Sequence, residues 1–151
     1  MIAKDTSLKD TKGMNVMHYE LTIFGQPAGK GRPRFTRTGH AYTPEKTKDY
    51  EQLVRATFIS SYPKAIPLED AVRVDIAAYY EIPKSYSKKK QQECLFGNIQ
   101  VQNKPDCDNI AKIILDSLNG YAYIDDKQAV ELHVIKMWSH QPRVEVNIEE
   151  V

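Results

Sequence analysis

Residues 106–126 constrain the fold most. Cys107, Ile110, Ala111, Ile114 and Leu118 recur at helical spacing and form one apolar stripe. Asp108, Lys112 and Asp116 fall at i, i+4 and i+8 on roughly the opposite face. A helix patterned in this way has to lay its stripe on another element, and its charged face then points away from the core. Pro105 cannot continue the helix backwards, and Asp106 or Asp108 can cap its first amides. Asn119-Gly120 ends it, both residues tolerating the left-handed backbone of a helix C-terminus.

The remaining pattern supplies a sheet. Tyr19, Leu21 and Ile23 alternate with polar residues and predict a strand ending at Gly25. A second strand is expected over 71–82, closed by Pro83, and a third over 129–138. Ser139–Pro142 reads as a turn, and 143–148 as the antiparallel return of a hairpin. Thr43-Pro44-Glu45 predicts a helix start capped by Thr43, with Tyr50, Leu53, Val54, Thr57, Phe58 and Tyr62 on its buried side as scaffold. Residues 91–103 form a short helix or an irregular segment. Residues 1–16, polar and without periodicity, read as a flexible tail, and 17–151 as one domain. The class is α/β: a small mixed sheet with helices packed against it.

Composition excludes more than it assigns. The net charge of +1 points to no partner by itself. Cys94 and Cys107 form no CxxC, and no Cys/His spacing suggests zinc. Cys107, on the apolar stripe, is expected to be a buried, inert thiol, and the pattern fits a reducing cytoplasm. No apolar run approaches the ~20 residues that span a membrane, and the N-terminus lacks a signal-peptide core. His133 and His140 have no partner at ligand spacing, and Trp138 reads as packing.

Charge is unevenly distributed. Between Gln26 and His40, Lys30, Arg32, Arg34 and Arg37 are interrupted by no acidic residue, and Phe35, His40 and Tyr42 are interleaved with or follow them. Such a loop suits phosphate contacts and base stacking, although GK[ST] is absent and it is no Walker loop. Lys84–Lys90 is a second basic patch, with Lys88 and Lys89 as candidate DNA contacts beside the plainer reading of a solvated lysine run.

A cap needs one carboxylate, yet Asp106 and Asp108 both stand at the helix start, and Asp125-Asp126 follow shortly after its end. If these groups converge, their repulsion calls for a cation. Oxygen-only ligands favour Mg²⁺, with Mn²⁺ as a substitute. Metal, basic loop and Lys112 together suit phosphodiester hydrolysis.

Lys104–Lys112, Leu115–Gly120 and Asp125–Val130 resemble the signature of RusA-type Holliday junction resolvases, endodeoxyribonucleases of bacteria and their phages. The resemblance is close over 104–130 and extends in element order over roughly 18–149. It implies a RusA-like homodimer that cuts four-way DNA junctions symmetrically in recombination and repair, using Mg²⁺ or Mn²⁺. Asp106, Asp108 and Asp126 match the family's essential acidic residues, Lys112 its essential lysine, and Asp125 an auxiliary ligand. Two alternatives stay open: a Mg²⁺ nuclease for other branched DNA, and a junction-binding protein that does not cut.

Overall fold

The computed structural model describes residues 7–9 and 15–151, with side chains from residue 17 onward. Strand β1 is Ser7–Lys9, β2 is Asn15–Phe24, and a two-stranded ribbon follows from β3, Arg34–Phe35, and β4, Ala41–Tyr42. Helix α1 is Glu45–Ser61, β5 is Val72–Glu81, α2 is Lys88–Leu95 and α3 is Cys107–Leu118. A 3₁₀ turn, Asp126–Gln128, leads into β6, Ala129–Ser139, and β7 is Arg143–Glu150. The expected tail over 1–16 falls mainly on residues outside those described. Where its backbone is described it is strand, with Ser7–Lys9 pairing antiparallel to Asn15–Met17.

The main sheet runs β1-β2-β7-β5-β6. It is mixed, as expected: β5 and β6 are parallel and the other neighbours antiparallel. A parallel pair needs a long crossover, and α2 and α3 supply it. The expected hairpin between the last two strands does not form. β7 passes β6 and lies between β2 and β5, leaving β6 at the edge. Burial accounts for this order. Val144, Val146 and Ile148 of β7 are at most 3% exposed, whereas Val130, Leu132, Ile135 and Met137 of β6 are 44–62% exposed. The strand whose inward side chains are covered on every side takes the centre, although β6 reads as the more apolar of the two in sequence.

One face of the sheet carries the core. Tyr19, Leu21 and Ile23 of β2 stand level with Ile148, Val146 and Val144 of β7, which stand level with Val74, Ile76 and Ala78 of β5. Helices α1 and α3 cover this face and touch each other. From α3 it receives Ile110, Ile113, Ile114 and Leu118, all fully buried. The stripe is displaced toward Ile113 and begins later than its spacing suggests. Cys107 is exposed, because the first turn of α3 overhangs the core; Cys94 is the buried thiol.

Helix α1 departs from expectation at two places. Pro44, rather than Thr43, is the N-cap, and no side chain caps the helix; the Pro44 carbonyl accepts from the amides of Thr47 and Lys48. Leu53 is 44% exposed, while Glu51 is buried. Replacing Ile114 by Ala is expected to cost about 2–5 kcal/mol, as for a deeply buried aliphatic side chain. Leu53→Ala should stay within about 0.5 kcal/mol. Urea denaturation of the two variants checks this difference.

Candidate nuclease site

Asp106 occupies the N-cap position of α3, but its carboxylate makes no capping bond. Asp106, Asp108 and Lys112 are all exposed. Asp108 and Lys112, though one turn apart, form no ion pair, and among the described residues Lys112 meets no carboxylate at ion-pair distance. The helix start is held from below. The Tyr80 hydroxyl donates to the Pro105 carbonyl at 2.7 Å, and burial pushes its pKa up to about 12, so it remains a donor at any physiological pH.

The second acidic group lies at the other end of α3. Leu118 accepts from the amides of Tyr121 and Ala122, and Gly120, at φ 81°, donates to the Tyr123 carbonyl. The positive φ is what turns the chain back at this point. Buried Tyr123 then anchors the return, its hydroxyl donating to the Leu115 carbonyl at 2.6 Å. Asp125 caps the 3₁₀ turn, accepting from the Lys127 amide at 2.9 Å, while Gln128 accepts from the Asp125 amide. The Lys127 amide holds the Asp125 pKa below its ordinary value. Asp126 is held above its own, first by burial, then by its contact with Asp125 and by the Asp116 charge. Asp116, Asp125 and Asp126 thus form an acidic group at the C-terminal end of α3. Asp108 and Asp116 are eight residues apart, or about 12 Å of helix.

Among the described residues, no three Asp, Glu, His or Cys side chains converge as a metal cage. The donor set still suits Mg²⁺, which takes oxygen ligands, often only one or two carboxylates, and draws the rest from water and substrate phosphate. Asp125 is the weaker candidate, because the cap occupies one of its oxygens.

The basic loop packs against α3. The Lys30 amide donates to the Asn109 carbonyl at 3.0 Å, and the Gly31 amide to Thr47 Oγ1 at 3.1 Å. Glycine is required at both places. A Cβ on Gly29 would stand 2.6 Å from Pro105 Cβ, and one on Gly31 would stand 2.7 Å from Thr47 Oγ1. Loop, α1 and the start of α3 enclose an open cleft of about 730 Å³, with Lys30, Arg32, Lys46 and Lys104 around Asp106 and Asn109. Arg34 stands in β3 and Arg37 at the ribbon's tip, both exposed, and Phe35 is 70% exposed. Lys30 differs from the other loop cations. Its ammonium is 2.7 Å from Glu51 and 3.2 Å from Asp116.

The second patch is arranged otherwise. Ser87 caps α2, accepting from the Lys90 amide, so Lys88 and Lys89 are exposed in its first turn. Helix α2 contacts the edge strand β6.

The sequence reading missed Glu51, Lys46 and Lys104. Glu51 had a usable signal, since it sits beside Tyr50 and one turn before Val54 and Arg55 on a largely apolar face. Lys104 had one too, standing two residues before Asp106 at the start of the signature, whereas Lys46 had none, because it joins the cleft from a helix distant in sequence.

Residues 25–149 match the family model described as endodeoxyribonuclease RusA. The uncharacterized protein YqaN of Bacillus subtilis (strain 168) is 39% identical over 137 residues, spanning 87% of this chain and 96% of its own length. No helix among the described residues is long and apolar enough to cross a membrane.

Asp126 gives a pH prediction. A carboxyl whose folded pKa is raised binds protons more tightly in the folded state, so its ionisation destabilises the fold as pH rises through that value. Asp126→Asn should therefore melt higher than wild type at pH 7 in chelator. The difference should vanish below about pH 3.9, where the unfolded carboxyl is protonated as well. Thermal melts of both proteins across this range read it out.

Proposed function

We propose, from the premise that this chain belongs to the RusA endodeoxyribonuclease family, that it resolves four-way DNA junctions by paired phosphodiester hydrolysis dependent on Mg²⁺, with residues 17–151 acting as one domain in the cytoplasm. The observation that carries this reading beyond family membership is the packing of the basic loop onto the start of the aspartate helix. Loop and helix cations that would be unrelated in an extended chain share one cleft with Asp106.

Each group has a role that follows from its place. Arg32, Lys46 and Lys104 draw the phosphate backbone into a cleft whose Asp106 alone would repel it. Arg34, Arg37 and exposed Phe35 extend that contact along the ribbon, with Phe35 offering a ring for a base to stack on. Lys88 and Lys89 offer charge to a more distant arm of the junction. Asp106, Asp108 and Asp126 would hold the metal, with Asp125 as an auxiliary. The bound ion supplies Lewis acidity toward the phosphoryl oxygens and lowers the pKa of nearby water. Lys112 stands free between the two acidic ends of α3. As a protonated amine it has no lone pair to ligate with, so it serves the negative charge that develops on the phosphate and its leaving oxygen.

The separation of the acidic ends favours a homodimer with shared sites. Asp106 and Asp108 start α3, whereas Asp126 lies beside Asp116 near its end. In a two-fold dimer, one subunit's Asp106 and Asp108 can meet the partner's acidic turn. Two such sites cut opposed strands.

Incubation of a labelled four-way junction with the protein and Mg²⁺ should give paired nicks. Cutting confined to flaps assigns the protein to other branched DNA, and binding without nicks makes it a structural binder. Asp106→Asn, Asp108→Asn and Asp126→Asn should each abolish cutting while binding persists, and Lys112→Ala should lower it by roughly 10²–10³.

The shared site has its own test. Heterodimers of Asp106→Asn with Asp126→Asn should regain one intact site and nick one strand. Complete inactivity of the mixture means each subunit holds its own site.

Binding through the cleft is read by salt. Arg32→Ala should reduce the log-log salt slope of junction affinity by about one. An unchanged slope removes Arg32 from the phosphate contacts.

A further inference from the structure

We infer that Lys30 is a positioning residue, a strut between the basic loop and the acidic face of α3, and does not contact DNA. Its amide is bonded to Asn109 in the first turn of α3. Its ammonium lies 2.7 Å from Glu51 and 3.2 Å from Asp116, near the other end of that helix. Lys30 therefore borders the cleft, but its side chain lies along α3 with the ammonium engaged by the two carboxylates. It is 21% exposed, and its carboxylate partners are 12% and 31% exposed.

The contact is part of a chain of charges. Glu51 uses its second oxygen to accept from Arg55 at 3.1 Å, and Arg55 donates through Nε to the Ser117 carbonyl at 3.1 Å. Glu51 thus stands between two cations, one from the loop and one from its own helix. Helix α1, the loop and α3 are joined at Glu51, Lys30, Asp116, Arg55 and Ser117. Breaking a partly buried contact of this kind leaves a carboxylate desolvated and uncompensated, so a phosphate could recruit Lys30 only by leaving Asp116 without its cation and Glu51 with Arg55 alone. Burial would lower the lysine pKa, but the bonds to Glu51 and Asp116 outweigh it and hold the value above normal, so the strut stays charged.

The strut has a consequence for chemistry. Asp116 neighbours Asp126, so the cation that fixes the loop also sits against the acidic end of the helix. Loop and carboxylates are held in one register, which limits the positions a phosphate in the cleft can take relative to the acidic groups. This consequence rests on the nuclease reading; the strut itself does not.

The strut is tested in the free protein by hydrogen exchange at the Lys30 and Gly31 amides. Lys30→Met and Asp116→Asn should each accelerate exchange there by about tenfold, as expected for a loop released to local opening. Lys30→Arg, whose fork can reach both carboxylates, should restore protection. Should Lys30→Met fail to unfold cooperatively in urea, Glu51→Gln breaks the shorter contact and keeps the lysine, and the same acceleration is expected. Unchanged exchange in the folded variants overturns the strut.

With a four-way junction and Mg²⁺, Lys30→Met should lower kcat about tenfold while the salt slope stays at the wild-type value. Combined with Asp116→Asn it should lose less than the two single effects together, because either change removes the Lys30–Asp116 contact. A slope reduced by about one with kcat intact makes Lys30 a phosphate contact and overturns the inference. If wild type neither binds nor cuts the junction, the nuclease reading fails, and hydrogen exchange alone decides the strut.

Discussion

The burial of one side of α3 sets the direction of everything chemical in this molecule. Ile110, Ile113, Ile114 and Leu118 are fully buried on the sheet, and each such side chain contributes roughly 1.5–3 kcal/mol by leaving water. No surface ion pair competes with that. The helix therefore has one orientation about its axis, and in that orientation Asp108 and Lys112 face solvent and Asp116 faces the loop. The chemistry depends on packing through a residue pattern that contains no chemistry.

The loop is seated by different forces. Beyond buried Pro27 and half-buried Ala28 at its start, amide bonds, two glycines without which it would clash, and a lysine held between carboxylates keep it in place. Such contacts define geometry more than they add stability. The division suits a surface meant for a polyanion. Arg32, Arg34 and Arg37 stay exposed, and the one cation that is engaged internally is the one nearest α3.

The sequence is legible where interactions are local. The limits of α3 follow from Pro105, the aspartates, the stripe and Gly120, all within one short segment, and the strand at 72–81 follows from strict alternation closed by Pro83. What failed was non-local. The placing of β7 depends on which strand β2 and β5 both meet, and no spacing within 129–150 encodes that. Cys107 lies at the right angle for the stripe but one turn too early along the axis, and angle alone cannot show where the sheet ends. For the site, the resemblance names candidate residues but not their distribution at two ends of α3, because sequence proximity of Asp106 and Asp126 says nothing about the direction in which the turn returns. Lys30 and Arg32 read alike as charges, and only the positions of Glu51 and Asp116 separate them.

The central position of β7 has a consequence for how the protein is made. Both strands it joins, β2 and β5, precede it in the chain, the first by more than a hundred residues. A ribosome that has delivered everything through Pro142 has produced helices with apolar faces and two sheet fragments with nothing between them. Those fragments cannot pair with each other in the native order, and closing the sheet must wait for residues 143–150 to emerge. Local helix formation can run ahead during synthesis, but the core closes late and in one step, as expected where long-range pairings dominate. Until then the unpaired edges of β2 and β5 are what a chaperone would have to shield.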